Sequence, residues 1–85
     1  MNACMSVINS SSRTISVHID DEPFSFLLPR QRSKCKYINA GSIAIKIFDS
    51  REKLIFDSWL SIMPENRHLL EVFDTDFNFK SVPHP

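Results

Sequence analysis

The chain has 85 residues, and its ten basic and ten acidic residues give it no formal net charge at neutral pH. A chain of this length is expected to form one small domain, and the balanced charge does not favour a nucleic acid or an anionic membrane as partner. The large apolar residues are mostly Ile and Phe, which favour strands over helices.

Two apolar segments near the N-terminus have the two-residue period of a strand with one buried face. They are residues 3–9 and residues 14–20. The run Asp20-Asp21-Glu22-Pro23 that follows predicts a turn, because Asp side chains bond to the local backbone and Pro fixes φ.

A short strand is predicted at residues 24–28 and ends at Pro29. Because proline removes a backbone donor, this strand is expected at a sheet edge or at a crossing between sheets. Its two phenylalanines, Phe24 and Phe26, are predicted to face the core. A further strand is predicted at residues 33–39.

The only glycine of the chain, Gly41, follows that strand. It is expected in a turn with positive φ, where a side chain would clash, so Gly41→Val is predicted to be costly. Residues 43–48 and 54–60 alternate in character around the turn residues 49–52, which predicts a hairpin.

The C-terminal part of the chain is predicted to hold strands at residues 68–73 and 77–79. Residues 50–59 and 64–73 are the segments most able to form a helix instead. In the second of them, apolar residues at helical spacing follow a proline.

These elements together predict an all-β protein, an antiparallel β-sandwich of about seven short strands. Residues 1–80 are expected to form the single domain. Residues 81–85 are rich in proline and are expected to form a flexible tail.

The two cysteines, Cys4 and Cys35, are interpreted as small buried hydrophobic residues in a reducing compartment. A disulfide is the alternative, and it would require an exported protein. The N-terminal residues lack the basic and apolar regions of a signal peptide, and no run reaches the ~18 apolar residues of a membrane helix. The sequence therefore predicts a cytoplasmic protein without a membrane segment.

Four stretches of the chain resemble a family of bacterial β-sandwich domains of unknown function. They are Val7-Ile8-Asn9-Ser10, Val17-His18-Ile19-Asp20, Tyr37-Ile38-Asn39-Ala40-Gly41 and Ile43-Ala44-Ile45-Lys46-Ile47. The resemblance, which spans residues 5–73, implies an immunoglobulin-like sandwich and carries no catalytic residue. The chain departs from the family at Asp20-Asp21-Glu22-Pro23, where the family has Asp-Gly in a hairpin.

No arrangement of residues predicts catalysis, a metal or another cofactor. The serines stand in no nucleophile motif, and the cysteines and histidines lack the close spacing of metal ligands. His18, His68 and His84 are interpreted as solvated surface residues. The chain is therefore predicted not to be an enzyme and to need no cofactor.

Four cations recur at every second position, namely Arg30, Arg32, Lys34 and Lys36. An extended strand would place them on one face, about 6.8 Å apart. One interpretation is a docking surface for an acidic partner, because arginine binds carboxylate and phosphate groups well. The other is that charges on an edge strand prevent aggregation between sheets.

The strand at residues 54–60 has two alternating sets of side chains, Leu54, Phe56 and Leu60 in one and Ile55, Asp57 and Trp59 in the other. If the first set faces the core, Ile55 and Trp59 lie outside, where an exposed tryptophan often anchors a partner. A bulge would bury Trp59 instead.

The chain is therefore predicted to be a non-catalytic protein-binding or assembly module that forms a homodimer. The alternative is a small-molecule or carbohydrate binder that uses the loops at one end of the sandwich.

Overall fold

The computed structural model describes residues 2–83, which form eight strands and no helix. The strands are β1 (Asn2–Asn9), β2 (Ile15–Ile19), β3 (Glu22–Leu27), β4 (Lys36–Asn39), β5 (Gly41–Asp49), β6 (Leu54–Ile62), β7 (Asn66–Val72) and β8 (Phe77–Pro83). The predicted all-β class is confirmed, with eight strands where about seven were predicted. Residues 50–59 and 64–73, for which a helix was the alternative, contribute to strands β6 and β7 instead.

The strands form two four-stranded sheets with a common core. The first, called the β1 sheet, has the order β4-β1-β7-β8, and the second, called the β2 sheet, has the order β3-β2-β5-β6. Neighbouring strands are antiparallel, except that β1 runs parallel to β7, so the prediction of an antiparallel sandwich is wrong for this pair. Within residues 2–83 no helix is present that could span a membrane.

The core lies between the two sheets, because each strand sends every second side chain inwards. The most deeply buried apolar side chains are Met5, Val7, Leu70 and Val72 from the β1 sheet and Ile15, Val17, Ile45, Ile47 and Ile62 from the β2 sheet. Burying one side chain of this size contributes about 1.5–3 kcal/mol. A register slip by one residue would turn a whole set out to solvent, so this pattern fixes the strand pairing.

The buried amide of Asn9 connects the two sheets at one end of the core. Its Nδ2 donates to the carbonyl oxygens of Arg13, at 2.7 Å, and of Leu27, at 3.1 Å. Its Oδ1 accepts from the backbone N–H and the hydroxyl of Ser11, at 3.0 and 2.6 Å. Both donors and both lone-pair positions are therefore used, as a polar group without access to water requires.

The predicted turn at Asp20 and Asp21 joins β2 to β3 as a two-residue hairpin loop. Both residues have positive φ, 49° and 65°, which is the requirement of a type I′ turn. Asp tolerates this conformation better than most residues. The Asp20 carboxylate also accepts from the Ala44 N–H at 2.9 Å, and Asp21 pairs with Lys46 at 3.3 Å. These contacts explain how the chain forms this turn without glycine.

The prediction that both phenylalanines of β3 face the core is wrong for Phe26, which is 69% exposed. The register between β2 and β3 shifts at a bulge in which Phe24 is the extra residue. Phe24 therefore packs partly against the core, and after the bulge Leu27 is buried while Phe26 faces outwards.

The prediction that the cysteines are free is also wrong, because Cys4 and Cys35 form a disulfide. The predicted strand at residues 33–39 is confirmed only for β4, and residues 28–35 cross from the β2 sheet to the β1 sheet. Because β4 pairs antiparallel with β1, with Cys4 opposite Tyr37, the end of this crossing lies beside Cys4. The sequence separation of 31 residues gives no sign of this proximity.

The C-terminal boundary also differs from the prediction. β8 continues to Pro83 and pairs with β7 over its whole length, so residues 81–83 belong to the sheet. The remainder of the predicted tail, residues 84–85, lies outside the described residues.

Gly41 has the positive φ that was predicted, +117°, but it lies where the chain crosses between sheets and not in a hairpin. A Cβ at this position would meet no atom within 4 Å. Gly41→Ala is therefore expected to lower the free energy of unfolding by about 1–3 kcal/mol through backbone strain alone. Urea unfolding measures this, with the exposed neighbour variant Ser42→Ala as control. Equal stability of Gly41→Ala and wild type would contradict the assigned backbone conformation.

Candidate binding surfaces

The outer face of the β2 sheet carries a group of aromatic and aliphatic side chains, which we call the apolar face. Its members are Phe26, Phe48 and Leu54, which lie in one row across the sheet, and Trp59, which the opposed pair Lys46 and Asp57 separates from that row. Trp59 is 71% exposed and Phe26 is 69% exposed, while Phe48 is half-buried with the His18 ring edge-on at 5.0 Å. Large apolar side chains this exposed on one face are typical of an interaction surface.

The register of the sheet explains why Trp59 is uncovered. Trp59 lies directly opposite Ala44 of β5, and the small alanine side chain leaves the indole ring open to solvent. The structure thus places Trp59 on the outer face, as the alternation predicted, and not in a bulge that would bury it.

Ile55 does not join this face, which corrects the sequence-based prediction. A bulge in the pairing of β5 and β6 sets Phe48 opposite Leu54 and Ile47 opposite Phe56, so Ile55 is the extra residue. Ile55 is half-buried and packs against the core, while Leu54 is 42% exposed. Because of the bulge, Ile55 faces the core and Leu54 faces solvent, which is the reverse of the prediction.

The four edge strands differ in how well they resist pairing with another chain. β3 contains Pro23 and a bulge, β4 has only four residues, and β8 contains Lys80 and ends at Pro83. Such features prevent association between sheet edges. β6 has nine residues, no proline and one charged side chain, Asp57. Its free edge is therefore the one best suited to accept a further strand.

The turn that begins β6 is held by a charged carboxylate at the border of the apolar face. Asp49 Oδ1 accepts from the backbone N–H groups of Lys53, at 3.0 Å, and Arg51, at 2.9 Å. These bonds, with that from Lys53 the stronger cause, lower the pKa of Asp49 below its ordinary value of 3.8. Asp49 therefore accepts these bonds as a carboxylate at neutral pH.

The four alternating cations do not form one stripe, contrary to the prediction. Arg30 lies in a turn with φ of 69°, and Arg32 makes only an isolated bridge to Ile8. Lys36 is the first residue of β4; its ammonium donates to the Phe24 carbonyl oxygen and lies 4.5 Å from the centre of the Phe24 ring. Lys36 therefore reaches from the β1 sheet to the β2 sheet.

A different set of cations does come together, on the outer face of the β1 sheet. Arg32, Lys34, Arg67 and Lys80 line one cavity of about 490 Å³, which we call the basic pocket. All four are exposed, and no carboxylate of residues 2–83 lines the cavity. Sequence analysis found the first two and missed Arg67 and Lys80, because each of these is isolated in sequence.

A smaller cavity, of about 340 Å³, opens at one end of the sandwich between the β2–β3 turn and the β4–β5 crossing. Its walls combine the exposed ring of Tyr37 with the polar side chains of Asp20, Glu22 and Asn39. Aromatic and carboxylate or amide groups together can stack on and hydrogen-bond a small polar ligand.

The two histidines within residues 2–83 lie on different sheets. His18 lies on the β2 sheet, and His68 lies on the β1 sheet with only 1% of its surface exposed, so the prediction of a solvated His68 is wrong. The His68 Nε2 accepts from the Met63 N–H at 3.1 Å, and its Nδ1 donates to the Cys4 carbonyl oxygen at 3.2 Å. Its role is structural. His84 lies outside the described residues, among which no group of three potential metal ligands occurs.

No protein-family model matches the chain, and no curated protein matches it either.

Proposed function

We propose that this protein is a non-catalytic assembly module that forms a homodimer through β6 and the apolar face. The observation that carries the proposal is the combination of an unprotected edge strand with an exposed tryptophan on the same strand. The backbone groups of the edge supply hydrogen bonds to a partner strand, and the aromatic side chains supply buried apolar area.

A second copy of the chain is the partner that fits these features best. Two identical β6 strands have equal length and pair antiparallel about a two-fold axis, the commonest symmetry of protein dimers. In a register centred on Ser58, Asp57 of each copy lies opposite Trp59 of the other. The two carboxylates are then not directly opposite each other, so that like charges do not oppose the pairing.

The apolar face gives the first test, through the variant Trp59→Glu. This substitution removes the main apolar anchor and places a charge in the contact, so we expect the dimer to dissociate to monomer. Light scattering coupled to size-exclusion chromatography measures the mass, and far-ultraviolet circular dichroism checks that the variant remains folded.

Tyr37→Glu is the matched control, because Tyr37 is even more exposed, at 82%, but lies on the β1 sheet. It is expected to leave the dimer intact. A wild-type protein that stays monomeric at all concentrations, or equal dissociation in both variants, would overturn the proposal.

We further propose that the domain has the immunoglobulin-like form that its sequence resembles, and two four-stranded layers with a common core support this. Cytoplasmic location remains a sequence-based prediction. The Cys4–Cys35 disulfide favours an oxidising compartment instead, because cytosolic proteins rarely retain disulfides.

Binding of a small polar ligand, such as a sugar, is a second candidate function. The cavity at the end of the sandwich, with Tyr37, Asp20 and Asn39 in its walls, supports it. A ligand of this kind would raise the melting temperature of wild type and not of Tyr37→Ala. A screen of sugars without any such shift would count against this candidate.

A further inference from the structure

We propose that the basic pocket binds a sulfate or phosphate group. The site lies on the opposite sheet from the apolar face, so this inference does not depend on self-association.

Strand pairing places two of the four cations side by side on the outer face of the β1 sheet. Arg67 of β7 lies opposite Val82 of β8, and Lys80 lies opposite Leu69. Arg67 and Lys80 are thus diagonal neighbours across the pair, a relation that sets residues about 7–8 Å apart. Two such cations form one wall of the pocket.

The crossing segment of residues 32–35 supplies the other wall, and it is held firmly along β1. The Ser33 N–H donates to the Val7 carbonyl oxygen at 2.8 Å, and the Val7 N–H donates to the Ser33 hydroxyl at 2.9 Å. The disulfide from Cys35 to Cys4 fixes the end of the segment. Arg32 and Lys34 are therefore held beside the pocket by a segment with little freedom to withdraw.

The charges around the pocket are unbalanced, although the chain as a whole is neutral. Within residues 2–83 the only ion pair joins Lys46 to Asp21, so none of the four pocket cations has a carboxylate within 4.0 Å. Cations lining one concave surface repel one another and concentrate anions from solution. A bound anion would remove that repulsion.

The donors in the pocket indicate which anion fits. A guanidinium group presents paired N–H donors that match two oxygens of a tetrahedral anion, and each lysine adds a point charge. The nearly buried Ser6 and the apolar Leu69 and Val82 also line the cavity, so the anion has both polar and apolar surroundings. A cavity of about 490 Å³ holds such a group together with part of the molecule that carries it.

Calorimetric titration of the full chain with pyrophosphate and with inorganic sulfate tests the proposal. We expect saturable binding of at least one of them at constant ionic strength. Arg67→Gln combined with Lys80→Gln should weaken it by about tenfold or more, because hydrogen bonds to charged groups are lost. The matched control is Arg51→Gln with Lys53→Gln, which removes the same charge from the exposed β5–β6 turn and should leave the affinity within about twofold.

Two polyanions distinguish the source of the group. Heparin that competes with inorganic sulfate would assign the pocket to a sulfated polysaccharide, and polyphosphate that competes with pyrophosphate would assign it to a phosphorylated ligand. Absence of saturable binding to both small anions would overturn the proposal, as would an equal loss in the two double variants. Trp59→Glu should bind the anion as wild type does, which separates this site from the dimer contact.

Discussion

Removing the Cys4–Cys35 disulfide is expected to lower the free energy of unfolding by about 3–4 kcal/mol. The bond closes a loop across a sequence separation of 31 residues, and a cross-link over this length restricts the unfolded chain by an entropy worth that amount. Both cysteines are only partly buried, so replacing their sulfur atoms adds little loss of packing. For a domain of 85 residues, this is a large share of the stability that globular proteins have.

Urea unfolding of wild type and of the Cys4→Ala, Cys35→Ala double variant measures the difference. A reductant should destabilise wild type by a similar amount and leave the double variant unchanged, which separates the disulfide from other effects of the reagent. Identical unfolding curves for oxidised and reduced wild type would show that the bond contributes nothing to stability.

Replacing Asn9 with Leu is expected to cost about 3 kcal/mol. The substitution removes the Nδ2 donor from the Leu27 carbonyl oxygen and the Oδ1 acceptor from the Ser11 N–H, and each unsatisfied buried group costs about 1–3 kcal/mol. The full burial of Asn9 means that water cannot replace these bonds without opening the end of the sandwich. Chemical unfolding is again the measurement.

Two further variants separate hydrogen bonding from shape. Asn9→Asp preserves the shape but replaces the donating Nδ2 with an oxygen, which would face carbonyl oxygens, so it should destabilise at least as much as Asn9→Leu. The control Asn78→Leu lies at an exposed position of β8 and should change stability little. A stable Asn9→Asp variant would show that the donors of Asn9 are unimportant.

The alternation of side chains predicted the strands well, because burial of one face imposes a two-residue period. Val7, Ile15, Val17 and Ile45 are buried as that period requires. The phase was lost where a bulge adds a residue, at Phe24 and at Ile55. Glycine in a strand often indicates a bulge, but neither bulge contains one. The sequence therefore does not indicate that Phe26 and Leu54 face outwards.

The candidate sites were predictable only as far as they are local in sequence. Trp59 lies on one strand, and its exposure follows from the alternation. The basic pocket needs β7 to pair with β8 and residues 32–35 to run along β1, and no local pattern shows these pairings. The disulfide could not be predicted for the same reason, because its cysteines come together only through the pairing of β1 with β4.

The parallel pairing of β1 with β7 has a consequence for how the chain folds. β1 lies between β4 and β7, and the bond from His68 to the Cys4 carbonyl oxygen joins residues 64 positions apart. β1 therefore cannot complete its sheet until β7, which lies much later in the chain, is available to pair with it. Contacts this distant along the chain slow folding, typically to the range of milliseconds to seconds. During that interval the apolar side chains of β1 are exposed, which favours aggregation of the incompletely folded chain.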